Sequence, residues 1–584
     1  MFQTFIISDF PGPHTRVEFK QHIPVNPLDE KCFDLIRSWA KECANHATCA
    51  EAAQVPLPKR VIEIPADPAQ PCRLRVASHV QGHYVILSHC WGKSGITIKL
   101  VDSLISTFQN EIPLRTLPRS FQDAIQITRH LGFRYLWIDA LCIIQDNPKD
   151  WAEEAPKMSS YYGLSTLMIA ASAAEDGSKG ILVDRHIGFS PALDREGNYC
   201  LRPEQLRSLQ GISSSVLSTR GWAAQERMLA PRIVHYTTQQ MIWECGTAVR
   251  FEASSLEYSI RMEDLDKGAI QPFVANALQA PGQRKPVGWT TEDTSVQELK
   301  RLEGWTSCVQ DYTRRLLAFS SDKLYAISGV AKILNHDGEM GEYLAGTWSK
   351  HFVAGLSWVR DKFSPLTTPS EYRAPSWSWA SADGGVFLED IFLHPVGNLN
   401  PDSDIWTTQL GIKLLQNKIC PRDPCFVYGA VGKGSHIVVE CACITPSAFS
   451  ACMQLQKKHT FKFSEIFDNS DADSCSCDLP LVDEGDGDPS VEFNMEALGL
   501  IEETLCGDGH LDFYLFLYGH ELFSTGGELN LLMMSWVSRK AAVAKRVGYA
   551  KLRFDLKRRE EEVEKAFREQ FLAAGWRRMQ LRLV

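Results

Sequence analysis

"RYLWIDALCII", residues 134–144, is apolar almost throughout after its leading arginine, and Asp139 is the one charged residue inside the run. Strict alternation marks a strand with one wet face, whereas an unbroken apolar run suits a central parallel strand covered on both faces. The flanks agree. Upstream, "LPRSFQDAIQITRHLG" (117–132) places Phe121, Ala124, Ile125, Thr128 and Leu131 on one helical stripe. Ser120 and Asp123 match an N-cap and its partner three residues on, and Gly132 is placed to stop the helix. Before that helix "YVILS" (84–88) is a first strand; after the apolar run come a helix over Asp150–Tyr162 and a third buried strand, "STLMIAAS" (165–172). Strands alternating with helices in this way predict an α/β domain with a parallel sheet and right-handed crossovers. Beyond a Gly/Ser/Asp-rich excursion (173–217), "RGWAAQERML" (220–229) reads as a helix. "RIVHYTTQQMIWEC" then supplies two more strands carrying Ile233, His235, Met241 and Trp243.

The chain of 584 residues is too long for one ordinary core. Residues 1–75 read as a lead-in with one helix, "DEKCFDLIRSWAKECANHA", followed by a Pro-rich separator. The α/β domain spans 80–250, and 251–395 reads as mainly helical. Residues 396–584 read as β-rich, with an acidic loop at 465–490 and a charged terminal helix. A net charge of −10, with no Lys/Arg cluster interleaved with aromatics, argues against a nucleic-acid partner. No run of about 18 apolar residues and no secretory leader are present, so a cytoplasmic protein without a membrane span is expected. Seventeen cysteines, scattered and odd in number, fit reduced thiols, with Cys90, Cys142 and Cys245 read as core volume. Cys43, His46 and Cys49 are three soft ligands with no obvious fourth, so a metal is not expected.

Ligands of open parallel sheets bind outside the carboxyl ends of the strands. Here those ends carry Ser88, His89, Cys90 and Trp91 after the first strand, Asp139 in the second and Ser172 after the third, with Arg220 and Trp222 on the turn that opens the later helix. Each also has a structural reading: Asp139 as a loop cap or arginine partner, the tryptophans as core. His89 and Cys90 are adjacent and point to opposite faces of a strand, which disfavours a thiolate–imidazole pair. Phosphate-loop, dinucleotide-fingerprint, nucleophile-elbow and zincin motifs are absent from the sequence, which removes those enzyme classes.

"YVILSHCWG" (84–92), "LPRSFQDAIQITRHLGFRYLWIDALCIIQDNPKDWAEEAPKMSSYY" (117–162) and "STRGWAAQERMLAPRIVHYTTQQMIWEC" (218–245) closely resemble the three motif blocks of the heterokaryon-incompatibility (HET) domain family. "DKLYAISGVA" and "RAPSWSWAS" also resemble segments that follow this domain. The resemblance implies a filamentous-fungal protein that triggers programmed cell death on non-self recognition. It further implies self-association through the HET domain and an unidentified protein partner for sensing.

The HET domain is in turn similar to the TIR domain. "VILSH" resembles the end of the first TIR strand and "LWIDALC" the second strand with its acidic residue. Trp222 and Glu226 reproduce the Trp-x-x-x-Glu spacing of enzymatic TIR domains. This likeness implies a TIR-like core in which Glu226 is catalytic and Ser88, His89, Trp91, Asp139, Arg220, Trp222 and Gln225 line the substrate site. NAD is then a substrate, cleaved at its nicotinamide–ribose bond, and no cofactor is required. Ala223 departs from the Cys found in many TIR enzymes, and the excursion before the helix is longer than theirs. Two other readings stand beside the enzyme: a non-enzymatic signalling module that works by proximity, and an accessory HET-domain protein without a cell-death role. In either of these, Gln225 and Glu226 are structural.

Overall fold

The structure, a computed structural model, describes residues 23–46, 49, 54–93, 95–185, 209–253, 266–278, 294–361, 369–388, 411–424, 426–444, 513–522, 526–538, 540–555 and 576–584. They fall into two compact units. One is drawn from Met1–Cys308 with Arg315–Leu317 and Ala326–His336, and the other from Val309–Arg314, Ala318–Tyr325 and Asp337–Val584.

The first unit is built, among the described residues, on an eight-stranded sheet of β1 (Arg60–Glu63), β2 (Arg73–Val76), β3 (Tyr84–Ser88), β4 (Tyr135–Trp137), β5 (Leu167–Ala170), β6 (Arg232–Tyr236), β7 (Met241–Cys245) and β8 (Val249–Phe251), in the spatial order β8-β7-β6-β5-β3-β4-β1-β2. β3 is parallel to β4 on one side and to β5 on the other, and β5 is parallel to β6. All five residues of β3 are buried, which is why the strand shows no alternation. Along the sheet the parallel strands run second, first, third, fourth. This is the doubly wound order whose topological switch lies between the first and third strands, here β3 and β5.

The crossovers differ in detail from the sequence expectation. Residues 134–144 give a strand of only three residues, because the chain coils at Asp139 into a helical turn, Asp139–Cys142. The Asp139 carboxylate accepts the Ala140 N–H at 2.7 Å, a local bond that competes with the ladder. Unbroken burial is common to a buried strand and a buried turn, so the pattern could not separate them.

Helix α1 (Glu30–Cys43) precedes the sheet in the chain, and α2 (Ile105–Asn110) and α3 (Arg119–His130) lie between β3 and β4. α3 starts one residue before Ser120, with Pro118 at its N-cap and no side-chain cap. Asp123 instead accepts the N–H groups of Ile181 and Leu182 at 2.8 and 3.1 Å and pairs with Arg119, tying the segment after β5 to the helix. Gly132 does end the helix, at φ 79°, and Phe133 N–H reaches back to the Thr128 carbonyl at 3.1 Å.

The helix expected over 150–162 is two, α4 (Pro148–Glu154) and α5 (Met158–Gly163), separated by a 3-10 turn that contains Pro156. α6 (Gly221–Leu229) leads into β6. In the lead-in, Asp29 caps α1, and buried Trp39 meets Trp243 of β7 with ring centroids 6.2 Å apart. The segment expected to be a Pro-rich separator supplies β1 and, with residues beyond it, β2, extending the sheet next to β4. Helices α7 (Asp266–Leu278), α8 (Thr294–Thr313) and α9 (Tyr325–Leu334) fall in the stretch expected to be helical.

In the second unit, strands Lys413–Lys418, His436–Ile444, Phe513–Leu522, Gly526–Ser538, Val543–Asp555 and Arg577–Leu583 pair in chain order. His436–Ile444 also pairs with Arg577–Leu583, so the last five close a circuit, and closure removes exposed strand edges. "RAPSWSWAS" packs beneath the chain end, with Trp377 Nε1 donating to the Leu583 carbonyl at 3.2 Å. Residues 552–555 of the expected terminal helix are strand. The rest of that helix before residue 576 and the acidic loop at 465–490 lie outside the described residues. Among the described residues, no helix is long and apolar enough to cross a membrane.

Candidate functional site

At the carboxyl end of β3 the chain leaves the sheet at Ser88, whose hydroxyl donates to the Glu226 carboxylate of α6. The next residues reach the end of β4. His89 Nε2 lies 2.9 Å from one Asp139 oxygen, and Trp91 Nε1 donates to the other at 2.9 Å. Phe121 of α3 stands edge-on to the His89 ring at 4.9 Å, fixing its plane. Arg220, at the N-cap of α6, donates to the His89 carbonyl. Ser88, His89, Trp91, Asp139, Arg220 and Glu226 therefore form one group, centred on β3, one of the two strands at the switch point.

The helix itself decides which side chain joins. Successive residues of an α-helix point about 100° apart, and residues 225, 226 and 227 take three different partners. Gln225 Oε1 accepts the Gly329 N–H at 2.6 Å and is buried away from the group. Arg227 makes a two-pronged pair with buried Glu244 at 3.0 and 2.8 Å. Glu226 alone of the three meets the strand end. Trp222 lies one turn earlier, half-buried. Ser172 is not in the group: it bonds His235 at 3.1 Å, and His235 bonds Glu244 at 2.9 Å, a buried network on the other side of α6.

The two carboxylates are pushed in opposite directions. Burial drives Glu226 upward, Arg220 and the Ser88 hydroxyl pull it back, Asp139 adds to the rise, and the net result lies above the ordinary glutamate value. Burial also works to raise Asp139, but the His89 charge and the hydrogen bonds from His89 and Trp91 outweigh it and hold that carboxyl below the usual aspartate value. Opposed carboxylates in one site are the pattern by which active sites divide roles. Cys90 is raised by burial, which makes it a poor nucleophile.

Sequence reasoning missed Tyr162. Its phenol bonds the Leu87 carbonyl at 3.4 Å, and burial together with the charges of Glu226 and Asp139 raises it well above the usual range. The "YY" pair ending α5 carried no signal that one ring faces the site. The missing fourth partner of Cys43, His46 and Cys49 is also present. Cys245 of β7 brings its sulfur to theirs, with all four ligand atoms within 4.8 Å of one another.

Residues 84–226 match the family model described as heterokaryon incompatibility protein (HET). The match runs from the first residue of β3 to Glu226 and so contains the whole group, and it supports the HET family for this segment. No curated protein and no solved structure matches the chain.

Proposed function

We propose that this chain is a HET-domain effector of programmed cell death on non-self recognition, acting in the cytoplasm, and that the group around Glu226 hydrolyses NAD at the nicotinamide–ribose bond. The single observation that supports the chemistry most is the Ser88–Glu226 hydrogen bond, which fixes a carboxylate at the carboxyl end of a switch-point strand. A TIR-like core agrees with the second-first-third-fourth strand order. In this reading the C–N bond breaks, nicotinamide leaves with the bonding pair as a neutral base, and Glu226 stabilises the ribosyl cation. Water adds at the anomeric carbon, giving ADP-ribose and a proton. Ser88 holds one Glu226 oxygen, Asp139 with His89 and Trp91 frames the wall, and Trp222 offers a ring on which nicotinamide stacks. NAD is the substrate, and no bound cofactor is needed. Glu226 is only 7% exposed, so substrate access requires a local opening, and in this reading self-association through the HET domain supplies it.

The same burial favours a second reading, in which Ser88–Glu226 is a structural clamp and the domain signals by proximity without chemistry. Purified chain, forced to oligomerise and incubated with NAD, releases nicotinamide under the first reading, and Glu226→Gln does not. Equal release from both removes the catalytic role, and toxicity that survives the substitution supports the second.

A further inference from the structure

Three possible metal ligands close α1 and the turn after it, and a fourth comes from the opposite end of the domain sequence. Cys43 is the last residue of α1, His46 and Cys49 follow at three-residue intervals, and Cys245 is the last residue of β7, 199 positions beyond His46. Their sulfur and imidazole nitrogen atoms lie within 4.8 Å of one another. Around a zinc ion with bonds of about 2.3 Å, tetrahedral geometry puts ligand atoms roughly 3.7 Å apart. Shifts of about 1 Å therefore close the set. Cys43 and Cys245 are buried, and His46 and Cys49 are half-buried.

The surroundings go beyond what packed thiols need. Trp39 of α1 meets Trp243 of β7, so an apolar contact joins helix and strand beside the sulfurs. The turn Cys245-Gly246-Thr247-Ala248 aims two backbone N–H groups at the Cys245 sulfur, from Thr247 at 3.5 Å and Ala248 at 3.3 Å. Donors of this kind stabilise an anionic sulfur and are the outer shell that metal-bound thiolates use. His46 Nδ1 lies 3.5 Å from that same sulfur, and Thr247 Oγ1 lies 3.5 Å from Cys49 Sγ. The place of Gly246 is close enough to the cluster that a Cβ there would stand 3.7 Å from Cys49 Sγ.

We infer that Cys43, His46, Cys49 and Cys245 bind one zinc ion in a closed tetrahedral site that fastens α1 to the β7–β8 hairpin. Three thiols lose protons to the solvent as the metal binds, and imidazole coordinates as the neutral ring. With all four positions filled by protein the site is structural, since a catalytic zinc keeps a position open. It shares no residue with the Glu226 group and does not depend on the function proposed for it.

The test is metal analysis of the full-length chain, purified from zinc-supplemented cells without a polyhistidine tag or chelators. The expected content is about one zinc per chain for wild type and for Cys420→Ser, a thiol outside the cluster, falling to below about one fifth in Cys49→Ser and in His46→Ala. Cobalt exchanged into wild type is expected to give intense tetrahedral visible bands with thiolate charge transfer. His46→Cys is expected to keep one metal and to shift those bands toward a four-thiolate spectrum, which separates ligand loss from misfolding. A folded wild-type chain that holds no zinc and gains no tetrahedral cobalt spectrum overturns the site. So do two cluster cysteines found joined in a disulfide under reducing purification, or zinc unchanged by Cys49→Ser.

Discussion

The hydroxyl of Ser88 and the carboxylate of Glu226 are hydrogen-bonded across 138 positions of sequence, joining the end of the central strand to the helix that crosses over from β5 to β6. That contact holds a carboxylate at the site, and burying the carboxylate costs stability in a way that can be measured. Glu226 lies above its ordinary value, mainly through burial, so the folded chain holds its proton more tightly than the unfolded chain does. The sign follows from linkage: for a raised carboxyl, stability falls as pH rises through the unfolded value toward the folded one. Glu226→Gln keeps an acceptor for Ser88 and removes the charge. Thermal melts are expected to show a variant at least as stable as wild type at pH 7, with the difference shrinking as pH falls through the raised folded value and gone below about 4. A large loss of stability at pH 7 contradicts this balance.

Asp139 behaves in the opposite way. Its carboxyl is held below the usual value against the pull of burial, because His89 and Trp91 bond its two oxygens. A depressed carboxyl contributes stability that is present above the unfolded value, about 3.9, and is lost as pH falls through the lower folded value. Asp139→Asn is expected to cost about 1–3 kcal/mol at pH 7, since one donor loses its acceptor. The cost should shrink in acid, measured by denaturant melts at a series of pH values.

Asp150 supports the loop that carries Asp139. It pairs with buried Arg60, bonds Lys59 at 2.8 Å and accepts the Ile144 N–H at 2.9 Å. Asp150→Ala leaves Arg60 as an uncompensated buried charge, and a loss of about 3–5 kcal/mol is expected in urea unfolding. A loss below about 1 kcal/mol shows that the pair is not a support.

Gln225 separates the two faces of α6. Gln225→Ala removes the side-chain acceptor of the Gly329 N–H and is expected to lower stability by about 1–3 kcal/mol. In the NAD assay its effect should follow the fraction of folded protein, because the side chain stands apart from the Ser88–Glu226 group. A loss of activity in fully folded variant protein would put Gln225 in the site.

Much of this arrangement was legible in the residues because pattern and burial agree locally. β3 and β5 are buried throughout and read as such, and Gly132 at the end of α3 and the α6 spacing of Trp222 and Glu226 follow from helix geometry. What was hidden depends on tertiary partners. Asp123 looked like part of a cap but is claimed by the backbone of residues 181 and 182. Gln225 and Glu226 are neighbours in sequence, and only packing sends one to Gly329 and the other to Ser88. The fourth ligand, the Cys245 sulfur, carries no signal near Cys43, because a hairpin remote in sequence delivers it.

The acid limb of the reaction offers an independent check on the carboxylate. If Glu226 acts ionised, kcat/KM falls as it protonates, and the inflection is expected above the ordinary glutamate value of about 4.3. An inflection below that value points away from Glu226.

The most direct measurement is nicotinamide release from NAD by the full-length chain under forced oligomerisation, with wild type and Glu226→Gln compared at equal folded concentration. Release by wild type, reduced at least about 100-fold by the substitution, is the predicted result. Release that is equal in both contradicts a catalytic Glu226, and no release from folded, oligomeric wild type contradicts the proposed hydrolysis.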